Sequence, residues 1–277
     1  MKRVLLALTA ALLLACQMSP EKMKTESVKF ADTTKFASLT IGVEFPLPQT
    51  EAMRSIRAVL VSVMDESLSG IGRFEGGRAF PAYRGNLDDT PAMMAYYESQ
   101  ALRQLDRASG VDAAERLSDG VSYMPSWEFD CKIVKGWENE RCVVFEANNY
   151  SYAGGAHGGV YGAGSLVFDK RDGHRIVNLL LPACTEKMQP LLKKGLIQYF
   201  SDNGEKVSAE ELRDWLFLEP GQPIPLPAWT PAPAEDGLVF TYQQYEIAAY
   251  ACGMPSFIVP YKDIAPFLTE EAKEIVL

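Results

Sequence analysis

A glycine-rich segment followed by a strand pattern and a turn constrains the fold of this chain more than any other part of it. Residues 154–159 read Gly-Gly-Ala-His-Gly-Gly, and such a run cannot continue a helix, because glycine leaves φ free and lowers helix stability. Residues 160–169 then alternate small and large side chains as a strand does, and Asp172-Gly173 is a frequent hairpin signal. The pattern predicts a shaped loop that presents His157 at the start of a hairpin.

Period-two alternation predicts strands over much of the chain. The predicted strands cover residues 36–45, 121–124, 127–134, 142–152, 160–169, 175–177, 238–242 and 257–261. Short turns join the strands between residues 121 and 177, which favours antiparallel pairing.

Apolar residues at helical spacing predict helices on either side of these strands. Thr50 is a candidate N-cap for a helix that ends by Gly70, and a second helix begins at Thr90. The predicted inward residues are Met53, Ile56, Leu60 and Val63 in the first helix and Met94, Tyr97, Ala101 and Leu105 in the second. Further helices are predicted over residues 187–200, 208–215 and 267–276, and the proline-rich residues 219–233 are predicted to be an extended connector. The fold class is therefore predicted to be α+β, an antiparallel sheet with packed helices.

The first residues have the composition of an export signal. Residues 1–15 begin with Met-Lys-Arg, continue as an apolar run too short to span a bilayer, and end in Leu-Leu-Ala before Cys16. This pattern resembles a bacterial lipobox, which implies cleavage before Cys16 and a membrane anchor through lipid on that residue. Gln17, rather than Asp, follows the cysteine and favours the outer membrane, with the protein facing the periplasm. Residues 16–34 are rich in Lys, Glu, Ser and Thr and are predicted to be a flexible tether.

The charge of the chain argues against one class of partner. It has 27 basic and 36 acidic residues, and removal of residues 1–15, which include Lys2 and Arg3, leaves a formal net charge of −11. Binding to nucleic acid needs cationic groups that neutralise phosphates, so no nucleic-acid partner is expected. A basic protein partner would be favoured, although acidity is also an ordinary way for a protein to stay soluble.

Four cysteines remain after Cys16, and in an oxidising compartment an even number favours disulfides. Cys131 and Cys142 flank a short segment with a turn signal at its centre, so they are predicted to face each other across neighbouring strands. Cys184 and Cys252 are then the second pair by elimination.

Few residue patterns support catalysis. Two histidines are too few for the converging ligands of a zinc site, and the chain has no Gly-x-Ser-x-Gly elbow. Neither a metal nor a cofactor is expected. Paired carboxylates remain an alternative, because glycoside hydrolysis needs only two acids a few ångströms apart. The acids beside the hairpin and the C-terminal strands are Glu146, Asp169, Asp172 and Glu246.

Two ordered blocks of sequence resemble a known family. The first reads Tyr-Ala-Gly-Gly-Ala-His-Gly over residues 152–158 and Phe-Asp-Lys-Arg-Asp-Gly over residues 168–173. The second reads Gly-Leu-Val-Phe-Thr-Tyr over residues 237–242 and Tyr-Glu-Ile-Ala over residues 245–248, and it continues over residues 253–261. These blocks resemble the extracellular domain of the RsiV anti-sigma factor, a lysozyme-sensing membrane protein, and the related accessory domain of PdaC-type peptidoglycan deacetylases. The resemblance covers roughly the C-terminal half of the chain and implies a binding or sensing role.

On this resemblance, residues 119–277 are predicted to be an RsiV-like C-terminal domain and residues 35–118 an N-terminal α+β part. The candidate binding residues are His157, Gly155, Tyr152, Tyr161, Tyr245 and Glu246. His157 has two interpretations. Its imidazole, beside two tyrosines, could donate a hydrogen bond to a sugar or to a partner's backbone; alternatively, the glycine loop is a tight crossover in which the histidine ties neighbouring strands together.

The predicted function is that of a lipid-anchored, non-enzymatic protein of the cell envelope that recognises lysozyme or peptidoglycan fragments. The alternative is a carbohydrate-active hydrolase that acts on glycans through paired carboxylates. A third possibility is a purely structural envelope component.

Overall fold

The computed structural model describes residues 22–73, 76–121, 126–154, 158–202 and 206–277. Its strands are β1 (Thr25–Thr33), β2 (Ala37–Pro46), β3 (Trp127–Glu138), β4 (Cys142–Tyr152), β5 (Val160–Asp169), β6 (Arg175–Ile176), β7 (Ala232–Pro233), β8 (Gly237–Thr241) and β9 (Ser256–Pro260). Its helices are α1 (Glu51–Ser69), α2 (Thr90–Ser118), α3 (Thr185–Asp202), α4 (Leu212–Trp215), α5 (Tyr261–Ile264) and α6 (Glu270–Val276). The protein therefore has the α+β fold expected from its sequence.

The main sheet contains six strands, which lie side by side in their sequence order from β1 to β6. Neighbouring strands are antiparallel except β2 and β3, which run parallel. A parallel pair needs a long crossover connection, and here α1 and α2 lie in that connection. The pair also joins the two predicted parts of the chain, because β2 lies before residue 118 and β3 lies after residue 119. A second, antiparallel sheet contains β7, β8 and β9.

Helices α1 and α2 pack on one face of the main sheet, which we call the covered face. Thr50 caps α1 as predicted, because its side chain accepts a hydrogen bond from the Met53 N–H at 3.2 Å, and Gly70 ends the helix. The predicted inward residues Ile56 and Leu60 are fully buried, and the other two are half-buried. All four predicted inward residues of α2 are buried, which confirms the prediction from its apolar spacing.

Strand β1 lies where the sequence predicted a flexible tether over residues 16–34, and that prediction is wrong for residues 25–33. β1 pairs antiparallel with β2 along its whole length. It is an edge strand with one exposed face, so only Val28 and Phe30 pack against the core, and most of its other residues are polar. Polar edge strands are common because they discourage pairing with other chains. The composition therefore resembled that of a spacer.

The opposite face of the main sheet is covered at one end by a second layer. Helices α3 and α6 and the second sheet share an apolar core with Val144, Val167 and Ile176 of the main sheet. Over β1, β2 and β3, the side chains on this face are exposed or half-exposed within the part of the chain that the structure describes. We call this region the open face. Residues such as Lys29, Thr40, Gly42, Glu44, Asp130 and Lys132 line a hollow there of about 610 Å³.

The predicted disulfide between Cys131 and Cys142 is wrong, because both are free thiols. Cys131 lies opposite Asn149 on β4, seven residues from Cys142. An odd separation along a strand places two side chains on opposite faces, and the two cysteines accordingly belong to different cores. Burial raises the pKa of Cys131 to about 11 and that of Cys142 to about 12, so both thiols stay protonated.

The predicted pair of Cys184 and Cys252 is also wrong, because these thiols are free as well. The carbonyl of Cys252 accepts a hydrogen bond from the Tyr199 hydroxyl at 2.8 Å, near the end of α3. Cys184 directly precedes the start of α3. Fifteen residues of helix separate Cys184 from Tyr199, a rise of about 22 Å, so α3 holds the two cysteines apart.

Several local predictions are confirmed. Ser208 and Glu211 form a capping box before α4, with hydrogen bonds at 2.8 and 3.2 Å between each backbone N–H and the other side chain. Gly173 has φ +78° in the turn after β5. Residues 219–233 contain no helix, and only the short β7 at their end is a strand.

Some predictions concern residues that the structure does not describe. The signal peptide of residues 1–15, Cys16 and most of the predicted strand over residues 121–124 lie outside the described residues. Among the helices that are described, none is both long and apolar enough to cross a membrane.

Candidate functional site

Two segments that are far apart in sequence meet at the edge of β5. The Gln243 side chain donates to the Ala163 carbonyl at 2.7 Å and accepts from the Ala163 N–H at 2.9 Å, so it pairs with the strand edge as another strand would. The side-chain oxygen of Gln244 accepts from the Tyr161 N–H at 2.9 Å. These glutamines lie between the first two parts of the second sequence block, and Tyr161 and Ala163 lie between the two parts of the first. The segments that join the parts of each block therefore contact each other.

Four tyrosine rings lie beside this junction, and we call Tyr150, Tyr161, Tyr245 and Tyr250 the tyrosine ledge. The ring centroids of Tyr150 and Tyr161 are 4.6 Å apart, and those of Tyr245 and Tyr250 are 5.6 Å apart. The Tyr250 hydroxyl donates to the carbonyl of Gly159 at 2.8 Å, and Gly159 packs against the ring of Tyr150. Tyr161 and Tyr245 are 49% and 55% exposed. Burial raises the pKa of Tyr150, so its hydroxyl remains a neutral hydrogen-bonding group.

The ledge contains two of the predicted binding residues, Tyr161 and Tyr245. Tyr152 ends β4 and lines a different hollow, near the C-terminal end of α1. His157 and Gly155 lie outside the described residues, so both interpretations of the glycine loop stay open.

Glu246 supports the ledge through the backbone. Its two carboxylate oxygens accept hydrogen bonds from the N–H groups of Gln243 and Ala228, each at 2.6 Å. These bonds tie the segment to the proline-rich connector and hold a turn in which Tyr245 has φ +63°. Such a left-handed conformation is uncommon for a residue other than glycine. Glu246 thus positions the exposed Tyr245 ring, a role that its sequence did not reveal.

The candidate carboxylates of the hairpin turn also have partners. Burial opposes the charge of Asp169, but hydrogen bonds from the backbone and guanidinium of Arg171 outweigh it and lower the pKa of this carboxyl. Hydrogen bonds from the backbone and ring of His174 lower the pKa of Asp172. The same contact and a second one with Glu271, at 2.6 Å, raise the pKa of His174. This network ties the turn to α6.

A cleft lies between β4 and β5 of the main sheet and the second sheet, and its volume is about 250 Å³. We call it the tryptophan cleft. Its lining includes Trp137, Glu146, Asn148, Gly164, Ser165 and Trp229. Along β4, Glu146, Asn148 and Tyr150 are alternate residues and so point to the same face. The tryptophan cleft and the tyrosine ledge therefore lie along one strip of the sheet.

Local irregularities shape this cleft. The β3–β4 register shifts between Lys135 and Glu138, and a bulge of this kind redirects side chains; Trp137 lies within it. A Cβ on Gly136 would lie 2.9 Å from the Glu146 carboxylate, so the absence of a side chain there makes room for that group. The ring of Trp229 packs so closely on Gly164 that a Cβ there would overlap it.

Within the described ranges, no group of three or more His, Cys, Asp or Glu residues could hold a metal ion. The acidic side chains described above are instead paired with Arg171, His174 and backbone N–H groups. Glu146 differs from them, because it makes no hydrogen bond or ion pair with any residue that the structure describes.

The fold and site define a protein with a six-stranded mixed sheet, two helices on one face and a smaller sheet with helices over part of the other. A family model described as "Protein of unknown function (DUF3298)" matches residues 186–262. These residues include α3, β8 and β9, which belong to the second layer. The match does not reach the glycine loop or β1 to β6.

Two solved structures are similar to this chain. One is a member of the DUF3298 family from Bacteroides fragilis, with a TM-score of 0.69 and 17% identity over 91% of this chain and 96% of that chain. The other is a DUF3298 family protein from Pseudomonas aeruginosa, with a TM-score of 0.60 and 17% identity over 91% of this chain and 97% of that chain. At this identity the likeness shows the fold alone. No curated protein matches the chain, and the resemblance to RsiV stays a prediction.

Sequence reasoning missed the tryptophan cleft. The sequence indicates Glu146 only as one of four candidate acids, and no local pattern marks Trp137 or Trp229 as a site residue. Glu146, Trp137 and Trp229 lie together only because of the path that the connector between α4 and β7 follows, and local sequence patterns do not specify that path. The available signal was glycine inside predicted strands, since Gly136 and Gly164 occupy positions that weaken a strand unless something packs closely there.

Proposed function

We propose that this protein is a lipid-anchored component of the bacterial cell envelope that binds lysozyme or another cell-wall-related ligand without catalysing a reaction. The lipid is attached to Cys16, and the protein faces the periplasm from the outer membrane. The observation on which the proposal rests is the tyrosine ledge, an exposed aromatic surface built from two segments that are about 80 residues apart in the chain.

Exposed tyrosines suit a binding surface, because each offers a rigid apolar ring together with a hydroxyl that donates or accepts hydrogen bonds. Tyr161 and Tyr245 present their rings to solvent although the protein has the means to bury aromatic groups, as it does for Tyr97 and Tyr242. The supports of the ledge are rigid, since Glu246 and the two glutamines fix its backbone. A pre-ordered surface loses little entropy when it binds.

The charge of the protein supports lysozyme as a partner. The chain that remains after cleavage before Cys16 has a formal net charge of −11, and opposite charges raise the association rate of proteins. Lysozymes are commonly basic. The resemblance of the two sequence blocks to the RsiV family points to the same partner.

The positions of the carboxylates favour binding over hydrolysis. Asp169, Asp172 and Glu246 each hold a structural contact, so using any of them as an acid or nucleophile would break a support of the fold. The hydrolase alternative is left with Glu146, whose cleft is lined by no second carboxylate among the described residues. A glycan hydrolysis assay with the wild-type chain and Glu146→Gln tests this alternative directly.

The binding proposal is tested with the chain from Gln17 onward, which contains every residue that the structure describes. Its affinity for lysozyme and for soluble peptidoglycan fragments is measured by calorimetry at two salt concentrations. Saturable binding that survives moderate salt is expected, with Tyr161→Ala and Tyr245→Ala each weakening it by about tenfold, or roughly 1.4 kcal/mol. Phe217→Ala is the matched control, because Phe217 is a 59% exposed aromatic outside the ledge.

Absence of binding to both probes, with the chain shown to be folded, would refute the proposal. His157→Ala, measured alongside, distinguishes the two interpretations of the glycine loop: weaker binding at unchanged stability indicates a contact, and lower stability indicates a structural tie. Lipid attachment is tested separately by labelling the full chain with a radioactive fatty acid. The label is expected on the wild type and lost in Cys16→Ser.

A further inference from the structure

The tryptophan cleft has the features of a binding site in its own right. We propose that it binds one sugar ring of a cell-wall glycan, with Trp229 against the C–H face of the ring and Glu146 accepting hydrogen bonds from its hydroxyls. This inference rests on the proposed function and names the ligand class within it. It assigns the glycan to a place on the molecule distinct from the exposed tyrosines.

Several polar groups of the cleft have no partners among the described residues, although Thr230 bonds to the Val177 carbonyl and Thr241 to the Ser256 hydroxyl. The side chains of Glu146, Asn148 and Ser165 make no hydrogen bond or ion pair there, and the indole N–H groups of Trp137 and Trp229 make none either. Polar groups in proteins are mostly satisfied by protein or water. A small cleft in which a carboxylate, an amide, a hydroxyl and two indoles all remain available can bond to a ligand rich in hydroxyls.

The aromatic walls select the kind of polar ligand. A pyranose ring has an apolar face of C–H groups and a rim of hydroxyls, so it needs aromatic surface and hydrogen-bonding groups at the same place. Trp229 is 41% exposed and is held by its close contact with Gly164. Trp137 is half-buried and also lines the cleft. An ion such as phosphate would gain little from these two rings.

The charge of the cleft disfavours anionic ligands. Among the residues that the structure describes, Glu146 is the only charged one in the lining, and no lysine or arginine lies there. An anionic ligand would meet a like charge with nothing to neutralise it, whereas hydroxyl, amide and ammonium groups can all donate to the carboxylate. Neutral N-acetylhexosamines and their deacetylated forms both meet this condition.

Two glycines indicate that the cleft is a built feature. Glycine inside a strand lowers its stability and often marks close approach of another group. Gly136 leaves room for the Glu146 carboxylate, and Gly164 lets Trp229 approach the backbone. Gly162, on the same strand as Gly164, has no neighbour near its absent Cβ. The two cleft glycines are thus tied to the two groups that would contact the sugar.

The dimensions of the cleft fit a short ligand. Its volume of about 250 Å³ lies below the range of about 300–1,000 Å³ that is typical of sites for drug-sized molecules. It therefore suits one ring rather than a folded chain. Glu146 and Tyr150 are four residues apart on the same face of β4, a distance of about 13 Å, so further rings of a glycan strand would lie along the strip toward the tyrosine ledge.

The test uses the chain from Gln17 onward, labelled with ¹⁵N, and follows its four tryptophan indole signals during titration with chitotetraose and with soluble peptidoglycan strands. We expect saturable shifts of the Trp137 and Trp229 signals and an unchanged Trp215 signal. Trp229→Ala should weaken glycan binding by about tenfold or more and Glu146→Gln by about threefold. Trp215→Ala is the control, because Trp215 is 47% exposed but lies on α4, away from the cleft.

The strand glycines provide a second, independent variant pair. Gly164→Ala should displace Trp229 and reduce glycan affinity, whereas Gly162→Ala should leave it unchanged, with thermal unfolding showing that both variants are folded. Glycan titration without shifts of either cleft indole, or affinity that is unchanged in Trp229→Ala, would overturn the inference. If lysozyme binds but no glycan does, the proposed function stands and this inference fails. If neither binds, both fail.

Discussion

The two sides of β4 differ although the same strand supplies both. On the covered face Val143 and Phe145 are completely buried under α1 and α2. On the opposite face Val144 is buried in the second core, but Glu146 is exposed and Asn148 is half-buried. The covered face thus fixes the register of the strand along its length, because a slip by one residue would expose its apolar side chains. The other face is then free to change from buried core to exposed polar surface within four residues.

This comparison predicts a large loss of stability at one position and almost no change at the next. Phe145→Ala should lower the free energy of unfolding by about 3–5 kcal/mol, because it leaves a cavity in a closed core. Glu146→Ala should change it by less than about 0.5 kcal/mol, since the side chain has no partner in the described structure. Urea unfolding of both variants measures the difference. Similar losses in the two variants would contradict the division between the faces.

A substitution of Arg57 should also destabilise the covered face. It is fully buried on α1, where it forms an ion pair with Glu26 at 2.6 Å, bonds to the Leu87 carbonyl and the Thr90 hydroxyl, and lies over the Phe45 ring. These contacts join β1 to both helices. Arg57→Ala should lower the free energy of unfolding by about 2–3 kcal/mol. We expect less than the roughly 3–5 kcal/mol of a fully buried pair, because the Glu26 side chain is 33% exposed.

A measurement of hydrogen exchange in Arg57→Ala locates this effect. The amides of β1 should lose protection first, while those of β4 and β5 keep it. Arg57→Lys is the control for charge alone; it should recover little stability, because one ammonium group cannot reach the same set of acceptors. Uniform loss of protection across the sheet would show that Arg57 does not act through β1.

The sequence predicted the covered face better than the other one, for a physical reason. Strands β4 and β5 have the predicted bounds, and Thr50 caps α1 as predicted, because alternation and capping are local signals. The parallel pairing of β2 with β3 was not predicted, since it depends on contacts between strands about 90 residues apart. β1 was missed because an edge strand needs few apolar residues.

For the candidate site, too, local sequence signals were predictive and contacts between distant residues were not. The sequence predicts Tyr161 and Tyr245 of the ledge, because Tyr161 follows the glycine loop and Tyr245 begins the Tyr-Glu-Ile-Ala segment of the second sequence block. The contacts that support them, from Gln243 and Gln244 to the edge of β5, join residues about 80 positions apart, and no local pattern specifies such contacts. The cysteine predictions failed because spacing alone cannot tell which face of a strand a thiol occupies.

Two glycines of β5 provide a further test, with a smaller expected change in stability. Gly164→Ala should cost about 1–3 kcal/mol of stability, because its Cβ would overlap the Trp229 ring and force it to move. Gly162→Ala should be neutral or stabilising by up to about 1 kcal/mol, since nothing lies near its absent Cβ and alanine reduces the entropy of the unfolded chain. Thermal unfolding distinguishes the two. Equal costs would indicate that Trp229 does not rest on the strand.

The smallest expected effect is a dependence of stability on pH, and it comes from the contact between the turn after β5 and helix α6. The His174 ring bonds to Asp172 and to Glu271 of α6, which raises the pKa of His174 in the folded state above its ordinary value near 6.5. A raised folded-state pKa means that the ionised ring stabilises the fold below the unfolded pKa, and this contribution disappears as the pH rises through the folded pKa.

The urea midpoint of the wild type should therefore fall modestly between pH 6 and pH 8 relative to that of His174→Asn, which cannot become charged. The effect should weaken at high salt, because the network is largely exposed. Parallel pH profiles for the two proteins would show that the ring gives no charge-dependent support to α6.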